Sequence, residues 1–472
     1  MRPEVIDAFH LPAIPHPRTN TWSYGRGEDA FEVRVPRLSP VDLRRQVDAL
    51  GAARDRHLVH RPVAEIVGVI DGVAGRFLDP SDPLRRAAER ALPAVTSYSP
   101  PMIRLVLDRM AADWRAPRLR ELLRAELGDP RVLDGFAPAP RAHGQLAAFG
   151  PRLAVHVFSG NVPGVAVTSV VRSLLVKAAT LGKAAVGEPL LAALFARGVA
   201  EADPELGACL AVTYWAGGDE MMERAALDPA DAVIVYGGAE AVASIRARTP
   251  AGTLFLGYGP KVSFGVVGRA ALADEEAARE AARGAALDAS TFDQQGCVSP
   301  HLFYAEEGGT VSPETWAGML AEAMAEVEAE LPRGSLAPGE SSAIRQLRGE
   351  AEFAEAGGGG LRLHASAEGT AWTVVYDPRP EFAASCLNRV VRVKPVPRLD
   401  VIPSLVERFA AVLQTVGVAG APEETRALAM ALGRMGASRF APLGRMAWPP
   451  PWWHHDGHPP LRDLVRWVDL ET

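Results

Sequence analysis

Apolar residues recur at helical spacing over residues 40–127 and in short runs after residue 152, so the chain changes character within its first third. Ser39-Pro40-Val41-Asp42 has the form of a capping box with proline at the first helical position. Leu43, Val47 and Leu50 then fall three and four residues apart. Ser81-Asp82-Pro83 and Ser99-Pro100-Pro101 open two further helices, the second with Ile103, Val106, Leu107 and Met110 on one face. Beyond residue 152, short apolar runs alternate with helical stretches. They are Leu153–Phe158, a helix to Ala179, Ala184–Val186, a helix from Pro189, Leu210–Tyr214, Gly218–Ala226, Ala232–Tyr236, Ala239–Arg248 and Thr253–Leu256. This rhythm predicts a mostly parallel sheet with helices on both faces, a class that binds ligands at the carboxyl ends of its strands. A second α/β stretch follows. Its strands are predicted at 262–267, 301–304, 372–376 and 389–396, and its helices at 274–288, at 313–331 and from Ile402 and Pro422. Gly357–Gly360 reads as an exposed turn, and residues 447–460, rich in Pro, Trp and His, as irregular.

Composition bounds the class. The 472 residues are 48% hydrophobic and 23% charged, which suffices for large cores without disulfide or metal staples. At about 150 residues per domain the length fits three domains or two large ones. Three cysteines, Cys209, Cys297 and Cys386, exclude a disulfide scaffold and point to a reducing compartment. A net charge of −7 argues against a nucleic-acid partner, which requires a basic face. The apolar stretch from Val165 to Val186 is cut by Arg172, Lys177 and Lys183, too polar for a membrane span. The N-terminus carries acids and prolines where a secretory core would lie, so a cytoplasmic location is expected.

Two familiar signatures fail. Gly257-Tyr258-Gly259-Pro260-Lys261 lacks the third glycine of a dinucleotide fingerprint and runs into a strand, and no G-x-S-x-G elbow occurs. Cys297 lies in a polar, glycine-flanked segment (290–300) between a predicted helix and strand, as a nucleophile or a structural cysteine would. Cys209 sits in an apolar strand entry and Cys386 just before a strand. Asn161 lies in a turn at a strand end. Its amide there either donates to a developing oxyanion or caps the next helix. Only four of the 50 basic residues are lysines, and Lys183 falls in or beside a short strand, where lysine is depleted. It reads either as a cation for a ribose or phosphate or as a solvated edge residue. His454-His455-Asp456-Gly457-His458 matches no zinc spacing and reads as a closing loop without metal.

Several segments together resemble the aldehyde dehydrogenase superfamily. They are SGNVPG (159–164), GKAAVGEP (182–189), YWAGGDE (214–220), VIVYGGAE (233–240), GYGPKVSFGVV (257–267), STFDQQGCVSP (290–300), SCLNRVVRV (385–393) and GASRFAPLGRMAWPPPWWHHDG (436–457). The likeness is closest to the acyl-CoA reductase branch, the LuxC type. It implies an α/β fold of two doubly wound domains with a helical N-terminal region. Residues 1–262 would hold that region and the nucleotide-binding domain, 263–434 the catalytic domain, and 435–472 a tail returning to the cofactor domain.

The resemblance also implies roles. Cys297 matches the nucleophile, and Asn161 the amide that joins the Cys297 N–H as oxyanion donor. Lys183 matches the lysine at the adenosine ribose, Glu188 a cofactor-binding position, Gly237 and Gly238 the turn under the pyrophosphate, and Glu381 the glutamate near the nicotinamide ribose. The cofactor implied is NADP(H). Hydrolytic members carry a glutamate two residues before a Gly-Gly-Lys block. Aligned on Gly259-Pro260-Lys261, that position is Gly257. The implied activity is reduction of a fatty acyl-CoA to an aldehyde with release of CoA. The protein would be a homo-oligomer served by an acyl-activating or acyl-transferring partner. The rivals are a hydrolytic NAD(P)-dependent aldehyde dehydrogenase and a non-catalytic acyl-carrying subunit.

Overall fold

The computed structural model describes residues 4–27, 30–139 and 144–471. They form two units, one of Met1–Thr96, Ile103–Gly259 and Pro450–Thr472, the other of Ser97–Met102 and Pro260–Pro449.

The first unit opens with strands β1 (Glu4–Asp7), β2 (Thr19–Tyr24) and β3 (Phe31–Pro36), ordered β1-β3-β2, which the apolar pattern did not predict. Helices α1 (Pro40–His57), α2 (Val63–Leu78), α3 (Pro83–Thr96), α4 (Pro100–Asp113) and α5 (Ala116–Leu127) follow. At the start of α1 the Ser39 hydroxyl accepts from Asp42 N while Ser39 N donates to the Asp42 carboxylate, a complete capping box. Strands β4 (Ala137–Pro138) and β5 (Gln145–Phe149) lead into β6 (Leu153–Val157), α6 (Val165–Leu175), β7 (Ala179–Lys183), α7 (Leu191–Ala202), α8 (Pro204–Gly207), β8 (Leu210–Thr213), α9 (Glu220–Leu227), β9 (Ala232–Tyr236), α10 (Ala239–Arg248) and β10 (Leu254–Tyr258). These make a parallel sheet ordered β10-β9-β6-β7-β8.

One predicted pair of elements is displaced. The helix expected to run to Ala179 stops at Leu175, and the strand expected at Ala184–Val186 occupies Ala179–Lys183. Lys177 adopts a left-handed conformation (φ 60°), which ends the helix and turns the chain into the sheet early. Its buried amine is held by the Val59 carbonyl at 3.3 Å and the Asp134 carboxylate at 2.7 Å. Residues on both sides of this turn are buried, so no alternation marked the boundary.

The second unit contains β11 (Val262–Val267), α11 (Glu275–Ser290), β12 (Pro300–Glu306), α12 (Pro313–Glu330), α13 (Pro338–Ala356), β13 (Arg362–Ala365), β14 (Thr373–Tyr376), β15 (Val390–Val396), α14 (Ile402–Val406), β16 (Leu413–Ala419), α15 (Pro422–Met435) and β17 (Arg439–Pro442). Its sheet runs β13-β14-β15-β12-β11-β16-β17 and is parallel except for β13. Ala278, Ala282, Ala285 and Ala289 form a small-residue stripe on α11 that packs with Trp316, Leu320 and Met324 of α12 on one face of the sheet. Ile402, Val406, Leu428 and Leu432 cover the other face against Phe264, Val266 and Leu302. Residues 450–472 return to the first unit, where β18 (Arg466–Leu470) pairs antiparallel with β5. Among the described residues no helix is long and apolar enough to cross a membrane.

A buried histidine ties strand to helix in the first unit. His156 on β6 has its Nδ1 2.9 Å from Ser169 Oγ and its Nε2 2.9 Å from Ser173 Oγ, both on α6. Burial lowers its imidazole from the ordinary 6.5 to about 3. The folded state thus favours the neutral ring. Its contribution is complete above pH 6.5 and is lost as pH falls from there toward 3. Lowering the pH from about 7 to about 5 should therefore cost the first unit about 2 kcal/mol through this group. Urea unfolding of wild type and His156→Gln at both pH values checks this. The variant should lose that share of the pH dependence, and equal slopes would refute the assignment.

Candidate active site

In the second unit, Cys297 lies in the turn between α11 and β12, at the amino edge of the parallel sheet. The residues leading to it are strained. Phe292, Asp293 and Gln294 take left-handed conformations in succession (φ 55°, 47° and 64°), and a non-glycine residue pays about 1–2 kcal/mol for each. A facing segment, Leu387–Asn388–Arg389, does the same (φ 64°, 58° and 65°).

Side-chain bonds hold the strained residues in place. Tyr98 OH donates to the Phe292 carbonyl at 3.1 Å. The Asp293 carboxylate accepts from Arg389 Nε at 2.9 Å and from Gly334 N at 3.0 Å. Gln294 pairs with Val390 as a strand would, accepting from its N–H at 2.9 Å and donating to its carbonyl at 3.0 Å. Its amide also donates to the Pro300 carbonyl at 2.7 Å. Gln295 donates to Asn388 Oδ1 at 3.0 Å. Arg389 is fully buried and also meets Glu328 at 2.7 Å, so its charge is compensated on both sides. Past the strained residues, Ser263 Oγ on β11 donates to the Cys297 carbonyl at 2.7 Å. The backbone at Cys297 is thus fixed from several elements.

The three cysteines differ. Cys297 is partly exposed. Cys209 is buried, donates to the Glu205 carbonyl at 3.5 Å, and burial pushes its thiol up to about 12. Burial also raises the Cys386 thiol. Glu381 is exposed, beside buried Phe382, on the segment between β14 and β15.

In the first unit the remaining expected residues lie at or just beyond the carboxyl ends of β6, β7 and β9. Asn161 is exposed in the turn from β6 to α6. The N-cap of the helix is Gly164 (φ 94°), three residues after Asn161. This turn packs tightly on the loop after β7. A Cβ added at Gly160 would sit 2.8 Å from Gly187 Cα and 2.9 Å from Glu188 N, so only glycine permits the approach.

Lys183 ends β7. Burial lowers its amine against the pull of Glu223, and Nζ lies 5.6 Å from the Trp215 ring and 6.0 Å from the Tyr214 ring. Glu188 is buried, and its Oε1 accepts from Leu190 N at 2.8 Å and Leu191 N at 2.7 Å. It serves the start of α7. Gly238 caps the ten-residue α10, and a Cβ there would meet nothing within 4 Å. Gly237 N donates to the Tyr258 carbonyl at 3.2 Å. Tyr236 and Tyr258, the last residues of β9 and β10, stack at 4.8 Å, His455 stacks on Tyr258 at 4.4 Å, and Trp453 on His455 at 4.6 Å. Among the described residues no His, Cys, Asp and Glu cluster is placed to hold a metal ion.

Ser263, Gln294 and Arg389 escaped the sequence reading. Their partners lie far along the chain, and Gln294 and Ser263 carry no local signal. Arg389, a charge at the entry of the apolar run that becomes β15, was the one visible anomaly.

Known structures share this architecture. Aldehyde dehydrogenase 21 from Physcomitrella patens superposes with a TM-score of 0.75 at 13% identity, over 100% of this chain and 98% of that one. A benzaldehyde dehydrogenase from Corynebacterium glutamicum gives 0.67 at 14% identity, over 96% and 95%. The fold is that of the aldehyde dehydrogenases, with a helical N-terminal region. Sequence relatives are narrower in kind. A long-chain acyl-protein thioester reductase of Vibrio harveyi is 25% identical over 98% of this chain and 93% of its own length. One of Aliivibrio fischeri is 28% identical over 86% and 82%. A profile of the acyl-CoA reductase (LuxC) family matches residues 58–467, and the chain belongs to that family.

Proposed function

We propose that this protein reduces a fatty acyl thioester to an aldehyde with NADPH, through an acyl intermediate on Cys297. The observation that carries the reading is the Cys297 turn, where a partly exposed thiol follows three strained residues pinned by buried side chains. Strain held so firmly is characteristic of sites that must fix a reacting atom. Family membership and the thioester reductase names of the relatives support the same chemistry.

The first unit has residues suited to a nicotinamide dinucleotide. The open start of α10 at Gly237–Gly238 favours a pyrophosphate, and Lys183 offers a cation at a strand's carboxyl end. NADPH rather than NADH follows from the LuxC resemblance. When bound, the reduced nicotinamide supplies the hydride.

The protein's own part begins with the Cys297 thiolate, which attacks the thioester carbonyl. The resemblance assigns the oxyanion to the Cys297 N–H and the Asn161 amide. The donor thiol leaves, and an acyl thioester remains on Sγ. After reduction, the thiohemiacetal on Cys297 collapses, expelling Sγ and releasing aldehyde. The donor proposed is an acyl-CoA or an acylated partner protein, the second supported by the relatives' names. Incubation with NADPH and either long-chain acyl-CoA or an acylated carrier protein tests both. Aldehyde from at least one donor is expected, and aldehyde from neither would refute the reading.

The resemblance aligns Gly257 with the glutamate of the hydrolytic members, and a glycine supplies no carboxylate to activate water. A positioned general base typically contributes about 10²–10⁴-fold. With acyl-CoA but no NADPH, the wild type should release free acid slowly, and Gly257→Glu should release it at least about tenfold faster. Gly257 lies in β10 with ordinary strand backbone, and an added Cβ would press at 2.8 Å on the Phe255 ring and a Val242 methyl, side chains that can yield. Quantified fatty acid decides the matter. Rapid multiple-turnover hydrolysis by the wild type would mean that another group supplies the base.

A further inference from the structure

We propose that the Arg439 guanidinium is the cation that favours the thiolate form of Cys297. The inference rests on Cys297 as nucleophile and answers a question raised by Gly257, namely which group readies the thiol.

The amino edge of the second unit's sheet carries the argument. Pro300 on β12 pairs with Ser263 on β11. Ser263 Oγ donates to the Cys297 carbonyl at 2.7 Å and accepts from Thr415 N on β16 at 3.1 Å. Thr415 in turn pairs with Arg439, the first residue of β17. From β11 to β17 is two strand spacings, about 10 Å, a gap that an arginine side chain largely spans.

The guanidinium is anchored in this region. Its Nη1 donates to the Met446 carbonyl and its Nη2 to the Arg445 carbonyl, both at 2.6 Å. That turn is itself fixed, because the Asp288 carboxylate on α11 accepts from Gly444 N at 2.6 Å and Met446 N at 2.9 Å. Gly284 of α11 packs so closely on the same turn that a Cβ there would come within 2.8 Å of the Leu443 carbonyl carbon. The cation therefore holds a set position. Burial lowers the Arg439 guanidinium to about 10, against the raising effect of Asp288 and Cys297.

Other charged or titratable groups around this region are accounted for. Asp288 is buried, and its carboxyl is pushed up to about 7, which weakens it as a counter-charge near neutrality. Asp293, Arg389 and Glu328 form a closed cluster. His301 on β12 accepts from Ser385 N, and burial lowers its imidazole. Arg392 on β15 interacts with Cys386, which precedes the facing segment. Lys261 lies two residues before Ser263, and Arg445 lies in the turn that holds the Arg439 guanidinium.

The test is the pH dependence of Cys297 alkylation by iodoacetamide, read by peptide mass spectrometry so that Cys209 and Cys386 are scored separately. Arg439→Gln keeps an N–H donor for the turn and removes the charge, whereas Arg439→Lys keeps the charge. The midpoint should rise by about half a unit to one unit in Arg439→Gln, a loss of about three- to tenfold in thiolate at pH 7, and stay near wild type in Arg439→Lys. Circular dichroism and thermal unfolding of each variant confirm that the fold is kept before the midpoints are compared. Arg439→Lys, which keeps the charge, remains informative where Arg439→Gln fails to fold. An unchanged profile in Arg439→Gln, or equal shifts in both variants, would each overturn the proposal. No substrate enters the assay, so failure of Cys297 to accept an acyl group would remove the functional reading separately.

Discussion

Cys297→Ala should show neither acyl labelling nor aldehyde formation, while Cys209→Ala and Cys386→Ala keep both. The reason is chemical and positional. A thioester exchange needs a thiolate, and the alanine variant leaves none at the turn that the strained residues 292–294 present. Cys209 cannot substitute, because it is buried and its thiol is pushed up to about 12, far from ionisation at neutral pH. Removing a covalent nucleophile eliminates the intermediate itself, so the loss should reach the detection limit rather than a modest factor. Labelling with radioactive acyl-CoA, followed by gel separation and peptide mapping, reads the result. Persistent labelling of Cys297→Ala would move the nucleophile elsewhere.

Asn161→Ala should lower kcat by about 10²–10³ with little change in cofactor affinity or melting temperature. An amide that stabilises developing charge acts on the transition state, so its loss falls on turnover. The alternative of a helix cap predicts the reverse, a lower melting temperature at normal turnover, since cap removal typically costs about 1 kcal/mol. The N-cap residue of α6 is Gly164, and Asn161 lies exposed three residues earlier. Thermal unfolding and steady-state kinetics on the same variant separate the two roles. Normal kcat with early melting would return Asn161 to a structural part.

Much of the architecture was legible because the parallel strands are marked by apolar runs with turn residues between them. Ala232–Tyr236, Ala239–Arg248 and Val262–Val267 occur with the expected bounds. Elements without an apolar stripe were missed. The helix α13 buries only Ile344 and Ala351, so its sequence looks like a polar connection. The strand β7 was displaced because the signal at Lys177 is a backbone conformation, invisible in residue type. The candidate site divides similarly. Cys297 and Asn161 stood out as reactive or amide side chains in glycine-rich turns. Glu188 belonged to a matching segment, and its carboxylate accepts from Leu190 N and Leu191 N at the start of α7. Ser263, Gln294, Arg389 and Arg439 act through partners up to 152 residues away, as between Ser263 and Thr415, and such pairings exist only after the sheet forms.

One measurement bears most directly on thioester reduction through Cys297. The protein is charged with a radiolabelled long-chain acyl-CoA, freed of unbound substrate, and then mixed with NADPH. Label mapped to Cys297 should leave as fatty aldehyde, and in the absence of NADPH it should remain on the protein for much longer. Release as free acid at the same rate with and without NADPH would contradict the account.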